Sequence, residues 1–246
     1  MIKLNCDLGE SYGNWQMGND EAIMPYIDMA NIACGFHASD PFVMSKTVEL
    51  AMQNDVSIGA HPGYPDLQGF GRRAMAFSQQ EITQLVLYQV GALEAICQAN
   101  GTKIDYVKPH GALYNTMMVD KNVRSGILEA VKQLSTWNEP LPLLVLANGE
   151  ATVIAEHAAE YSVPLLYEAF ADRAYTDEGN LVPRSIAGAV LESDEQIEKH
   201  IQGLVERQEV VSISGKVIPI VANTICVHGD NSHALESVKK IRELLI

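Results

Sequence analysis

Positive charge is what this chain has least of. Its 246 residues carry 17 Lys and Arg against 31 Asp and Glu, a formal net charge of −14. A surface this acidic repels phosphate backbones and anionic membranes, which argues against nucleic acid as a partner. Long hydrophobic runs are missing too, so nothing is expected to span a bilayer. Met1-Ile-Lys-Leu-Asn-Cys-Asp enters a strand directly, without the apolar core of a signal peptide, and a cytoplasmic location is expected. Cysteine is scarce: Cys6, Cys34, Cys97 and Cys226 form no C-x-x-C pair, and three lie in apolar strand-like segments. They read as reduced, buried thiols rather than a disulfide framework. Familiar catalytic signatures are also lacking. Ser214-Gly-Lys216 has neither the upstream glycine nor the following Ser or Thr of a P-loop. There is no G-x-S-x-G elbow, and no H-x-x-x-H or H-x-H pair to mark a metal. Nucleotide chemistry would have to come without a recognisable fingerprint, or from another protein.

What is present is a repeated grammar. Asn31 to Asp40, Ser57 to His61, Asp105 to His110 and Asn223 to His228 each run apolar and then reach a histidine, ahead of a loop and helix. A strand end opening into a helix is where α/β folds place chemistry. In chain order, strands are expected at 2–6, 27–33, 56–60, 104–107, 142–146, 163–167 and 221–227. A hairpin is expected across Ser214-Gly-Lys216. Helices are expected over 20–26, from Pro41, from the capping box Ser78-Gln-Gln-Glu81 to about Asn100, over 121–134 and 151–161, from Ser193 to about Arg207, and at the C-terminal end. His61 to Ala76 forms a long loop rich in Gly, Pro and aromatics. The strands are continuous apolar runs, as expected of parallel strands covered on both faces. The length, the 47% hydrophobic and 20% charged composition and the absence of a linker point to one α/β unit over 1–246. That unit is a (β/α) barrel of about seven parallel strands, with a doubly wound open sheet as the alternative.

In a parallel barrel all strand C-termini share one face. That face would hold Asp7, Glu10, His37, His61, Lys108, His110, Glu168, Asp172, Arg173, His228 and Asp230. Each could equally be a loop residue capping a helix. His and Asp from successive strand ends could bind Zn²⁺ or Mn²⁺. A carboxylate beside an imidazole could instead do acid–base work without a metal, with Asp7 the candidate base. Lys108 could polarise a carbonyl or hold a carboxylate, and Arg72 and Arg73 could clamp an anion.

Several of these stretches are long and specific: Asn5-Cys-Asp-Leu-Gly-Glu10-Ser-Tyr-Gly, Asn31-Ile-Ala-Cys-Gly-Phe-His37-Ala-Ser-Asp40, Gly59-Ala-His61-Pro-Gly-Tyr-Pro-Asp66 and Phe70-Gly-Arg-Arg73. Val107-Lys108-Pro-His110-Gly-Ala-Leu-Tyr-Asn115, Glu168-Ala-Phe-Ala-Asp172-Arg173 and Val227-His-Gly-Asp230 complete the set. Together they resemble the LamB/YcsF family over nearly the whole chain. The resemblance implies a barrel of the glycoside hydrolase/deacetylase type. It also implies ATP-dependent opening of 5-oxo-L-proline to L-glutamate by a 5-oxoprolinase complex with partner subunits B and C. It leaves open which subunit holds ATP and whether a divalent metal is bound. On that reading Asp7, His37, His61, Lys108 and His110 are catalytic candidates. Glu10, Arg72, Arg73, Glu168, Asp172, Arg173 and His228 are candidates for binding substrate. Phosphorylating the ring oxygen would turn a poor electrophile into a good one. The alternatives are a stand-alone metal-dependent deacetylase or amidohydrolase and a non-catalytic lactam-binding subunit.

Overall fold

The strands close on themselves because their hydrogen bonding runs out of edges. The computed structural model describes residues 2–135, 139–149, 151–191, 193–228 and 234–245. Along the chain come β1 (Lys3–Leu8), α1 (Asp20–Ile23), a 3-10 turn, β2 (Met29–Ala33), α2 (Pro41–Gln53), β3 (Ser57–His61) and α3 (Gln79–Ala99). Next are β4 (Tyr106–Val107), α4 (Gly111–Val119), α5 (Lys121–Leu134), β5 (Leu143–Leu146), α6 (Ala151–Glu160) and β6 (Leu165–Phe170). Last come α7 (Asp194–Gln202) with a π turn, β7 (Glu209–Val211), β8 (Val217–Pro219), β9 (Thr224–His228) and α8 (Ala234–Leu244). Seven strands form a closed parallel barrel in the order β1-β2-β3-β4-β5-β6-β9. β9 closes it by pairing with both β1 and β6. β7 and β8 form the separate antiparallel hairpin. Among the described residues no helix is long and apolar enough to cross a membrane.

The expected caps are in place. The Asp40 carboxylate accepts from Phe42 N and Val43 N, with Pro41 at the first turn, and both halves of the Ser78–Glu81 capping box are made. Several boundaries differ from expectation: β1 runs on to Leu8, which makes Asp7 a strand residue, and β4 is only Tyr106–Val107. β6 runs on through Phe170, so Glu168 is a strand residue inside the barrel rather than a loop residue. β9 starts at Thr224, three residues late. Helix α4 has no counterpart among the expected helices, because Gly111 to Val119 is apolar on nearly every side and His110 gives it no side-chain cap. A helix without a polar face shows no helical period in sequence.

Alternation along each strand divides the packing in two. Leu4, Cys6, Leu8, Ile32, Ile58, Ala60 and Val107 point outward into one large cluster with Val48, Val86, Leu93, Ile127 and Val131 from the helices. Met29, Tyr106 and Leu144, with Leu166 against them, form a second cluster that plugs the barrel interior. Above that plug the interior turns polar. All four cysteines are free and buried.

Tyr106 fits inside the barrel only because residue 59 on the neighbouring strand is glycine. A Cβ at Gly59 would overlap the Tyr106 ring. Gly59→Ala should therefore displace the ring and lower stability by about 1–3 kcal/mol, the usual cost of overpacking. Urea denaturation of the two proteins checks this, and an unchanged midpoint would contradict the packing described.

Candidate active site

Asn5 and Asp7 lie two apart on β1, so both point into the barrel. Asn31 from β2 donates to Asn5 Oδ1 at 2.8 Å and to Asp7 Oδ1 at 2.7 Å. Tyr106 Oη donates to Asn31 Oδ1 at 2.6 Å, which fixes which way the Asn31 amide faces. Asn5 Nδ2 in turn donates to Thr224 Oγ1 on β9 at 2.9 Å. This chain of amides aims the Asp7 carboxylate toward the C-terminal mouth.

Lys108, just past β4, reaches into the centre of that network. Its Nζ lies 2.8 Å from Asp7 Oδ1, 3.2 Å from Glu168 Oε2, 3.2 Å from Asn5 Oδ1 and 3.1 Å from Cys226 Sγ. Burial alone would lower the lysine pKa, but the Asp7 and Glu168 carboxylates outweigh it and hold the ammonium well above its ordinary range. Glu168, fully buried, is raised by burial against the pull of Lys108. Burial raises the Cys226 thiol well above its usual value, so it sits there neutral.

Three histidines stand beside Asp7. His61 Nε2 is 3.4 Å from Asp7 Oδ2 and 2.9 Å from His110 Nδ1. The His37 ring stacks parallel on His110, centroids 3.7 Å apart. Glu10 Oε1 lies 3.6 Å from His37 Nε2 and 3.8 Å from His110 Nδ1. One donor atom each from Glu10, His37, His61 and His110 falls within 4.8 Å of the others. Burial and the neighbouring imidazoles lower both His37 and His110 well below the usual histidine value. The loop of residues 61–76 holds this group from above: Phe70 O receives His110 Nε2 at 2.8 Å. Gly71 passes so close that a Cβ there would meet His37 Cβ at 2.8 Å and His110 Cδ2 at 2.9 Å.

A cavity of about 460 Å³ opens over these groups, with Asp7, Glu10, His61, Lys108 and His110 in its wall. Arg72, Arg173 and Arg184 line the same cavity. Arg72 lies 4.9 Å over the Phe70 ring. Arg173 is buried and braced by the carbonyls of Ala189 and Val182, at 3.2 and 2.6 Å. Burial, with Arg184 nearby, lowers it to about 10, so it stays cationic at neutral pH.

The structure thus gathers Asp7, Glu10, His37, His61, Lys108, His110 and Glu168 into one connected group, and puts Arg72 and Arg173 on the cavity wall. His37 stands behind His110 rather than on that wall. Arg73 does not join them. Its guanidinium pairs with Asp66, and that hydrogen bonding lowers the Asp66 carboxyl to about 2. Asp172 is not among the lining residues either, and its carbonyl accepts from Leu191 N at 2.8 Å. His228 ends β9 beside Asp7, but its side chain, like the whole of Asp230, lies outside the described residues. Sequence reasoning missed Asn5, Asn31, Tyr106 and Arg184. An asparagine inside an apolar strand was a usable signal, since a buried amide needs partners; Arg184, in a polar loop, offered none.

Removing Lys108 would leave two carboxylates facing each other inside the barrel. Lys108→Met should cost about 3–5 kcal/mol, as expected for an orphaned buried pair. The double variant K108M/E168Q should lose less, because the amide removes one orphaned charge. Urea unfolding measures both; a loss below about 1 kcal/mol for K108M would contradict the network.

The LamB/YcsF family's model matches residues 2–246. The chain is 53% identical over 244 residues to the A subunit of 5-oxoprolinase from Vibrio cholerae, covering 99% of this chain and 97% of that one. It is 49% identical over 240 residues to the A subunit of 5-oxoprolinase from Chromohalobacter salexigens, covering 98% and 95%. Among solved structures, a lactam utilization protein from Thermus thermophilus superposes with a TM-score of 0.90 at 39% identity, covering 99% of this chain and 95% of that one. On the whole-chain match, and on relatives half-identical from end to end, the chain belongs to the LamB/YcsF family.

Proposed function

We propose that this chain, as one barrel, is the lactam-handling component of an ATP-dependent 5-oxoprolinase. It would act with partner subunits B and C to hydrolyse 5-oxo-L-proline to L-glutamate. The names of its relatives support the substrate class. The observation that carries the reading is the division of the cavity wall into an arginine side and a carboxylate–lysine–histidine side. 5-Oxoproline has the matching halves, a free carboxylate and a cyclic amide.

The substrate carboxylate pairs with Arg72, Arg173 and Arg184, whose planar groups suit it. The ring amide then lies toward Asp7 and Lys108. Ring opening adds water to the amide carbon, breaks the C–N bond and returns a proton to nitrogen. Asp7 takes the proton from the attacking water. Its Oδ1 is tied to Asn31 and Lys108, which leaves Oδ2 on the side of His61 and the cavity. Lys108 pairs with Asp7 at 2.8 Å and adds positive charge where oxyanion character develops. His61 and His110 shape the wall beside the reacting carbon, with His37 stacked behind His110. An unactivated amide is a poor electrophile, so ATP use is assigned to the assembled complex.

Turnover of 5-oxoproline with the chain alone, with ATP, and with ATP plus subunits B and C tests the assignment. Activity is expected only in the last. Asp7→Asn should lower turnover of the complex by about 10²-fold or more, while substrate binding and assembly survive. A variant within a few-fold of wild type would take the base role from Asp7. ATP-independent hydrolysis by the chain alone would instead support a stand-alone amidohydrolase, the reading that the histidine cluster favours.

A further inference from the structure

The hydrogen bonds around His61 and His110 fix where their protons are. His61 Nδ1 is 2.7 Å from Lys108 O, and His110 Nε2 is 2.8 Å from Phe70 O. Carbonyl oxygens only accept, so both of these nitrogens carry a hydrogen. In neutral rings the remaining nitrogens, His61 Nε2 and His110 Nδ1, then carry lone pairs. They face each other at 2.9 Å. Two lone pairs at that distance repel unless something positive sits against both.

A shared proton would satisfy two nitrogens and no more. The surroundings offer more than two. His37 is fully buried, and neither of its ring nitrogens has a hydrogen-bond partner. Its Nδ1 faces Gly63 and its Nε2 points to Glu10 Oε1. The carboxylate of Glu10 completes a group of four donor atoms within 4.8 Å of one another. Nitrogens bound at about 2.1 Å to one ion are about 3.0–3.4 Å from each other for angles of roughly 90–110°, so a small opening of the observed pair would admit one. Each outer N–H held by a backbone carbonyl is the arrangement that orients histidine ligands.

The geometry points to a binding site for one divalent first-row transition metal ion, held by His61 Nε2, His110 Nδ1 and the Glu10 carboxylate, with His37 stacked on His110 and its Nε2 turned to Glu10 behind them. The imidazole donors select ions such as Zn²⁺ or Co²⁺ over Mg²⁺, Ca²⁺ and Mn²⁺, which suit oxygen. In this position the ion would stand beside Asp7 Oδ2, at the side of the cavity where the amide is placed. There it would supply Lewis acidity.

The test needs no turnover, so its outcome is separate from that of the ring-opening assay. The isolated chain, stripped with chelator, is offered Zn²⁺, Co²⁺ or Mg²⁺ and passed through gel filtration. About one equivalent of transition metal should be retained and Mg²⁺ should not. The melting temperature should rise by about 5 °C or more with Zn²⁺ or Co²⁺. X-ray absorption on the Zn²⁺-loaded wild type should show imidazole nitrogens in the coordination shell, a reading that does not depend on any variant folding. Folded His61→Ala and His110→Ala proteins should lose the bound equivalent. Retention below a tenth of an equivalent by the wild type would overturn the site. So would an all-oxygen coordination shell, or full retention by folded H61A/H110A.

Discussion

A lysine ammonium buried between two carboxylates is the constraint around which the barrel interior is arranged. Lys108 could not keep its buried ammonium there without Asp7 and Glu168, whose carboxylates hold its pKa well up. A buried triad of this kind adds little net stability, because desolvation consumes most of the Coulombic gain. What it adds is position. Every polar atom drawn in must find a partner, so Asn5, Asn31, Tyr106 and Thr224 become links in one hydrogen-bonded chain. Gly59 is part of the same requirement, since Tyr106 needs the space its missing side chain leaves. The result is a carboxylate, Asp7, whose direction is set from four strands.

The second half of the site is held from outside the barrel. The loop of residues 61–76 lays Phe70 and Gly71 over the histidines, and Arg73 binds Asp66 to keep that loop in its shape. Arg73 therefore supports the site without touching the cavity. Arg72, one residue earlier, faces the cavity with Arg173 and Arg184. These cations matter more in a chain with a net charge of −14. Most of the surface repels an anion, and the mouth of the barrel is a local exception that would draw one in.

Much of this was legible in the sequence. Strand ends that each stop on a titratable residue can converge only if the strands are parallel, and a barrel puts all such ends on one face. That reasoning alone puts Asp7, His37, His61, Lys108 and His110 together. What stayed hidden had physical causes. Glu168 stands inside the barrel because β6 continues past the expected end, carried by Ala169 and Phe170. Helix α4 buries one face, with Leu113, Tyr114, Met117 and Met118, but its open side is apolar too, with Val119 exposed, so it shows no polar face to set a period. Arg72 and Arg73 are adjacent in the chain and chemically alike, and only the turn at residues 66–71 decides which faces the cavity. The tautomers of His61 and His110, from which the metal site follows, depend on two backbone carbonyls that no sequence pattern marks.

On the proposed function, one cavity reads both ends of a cyclic amino-acid lactam. The most direct measurement is a crystal structure of the chain with 5-oxoproline bound. The carboxylate should lie within hydrogen-bonding distance of Arg173 and at least one of Arg72 and Arg184. The ring amide carbon should lie beside Asp7 Oδ2, with its oxygen turned toward Lys108 or the histidines. A ligand bound with its carboxylate against Asp7 and Glu10, or bound outside this cavity, would contradict it.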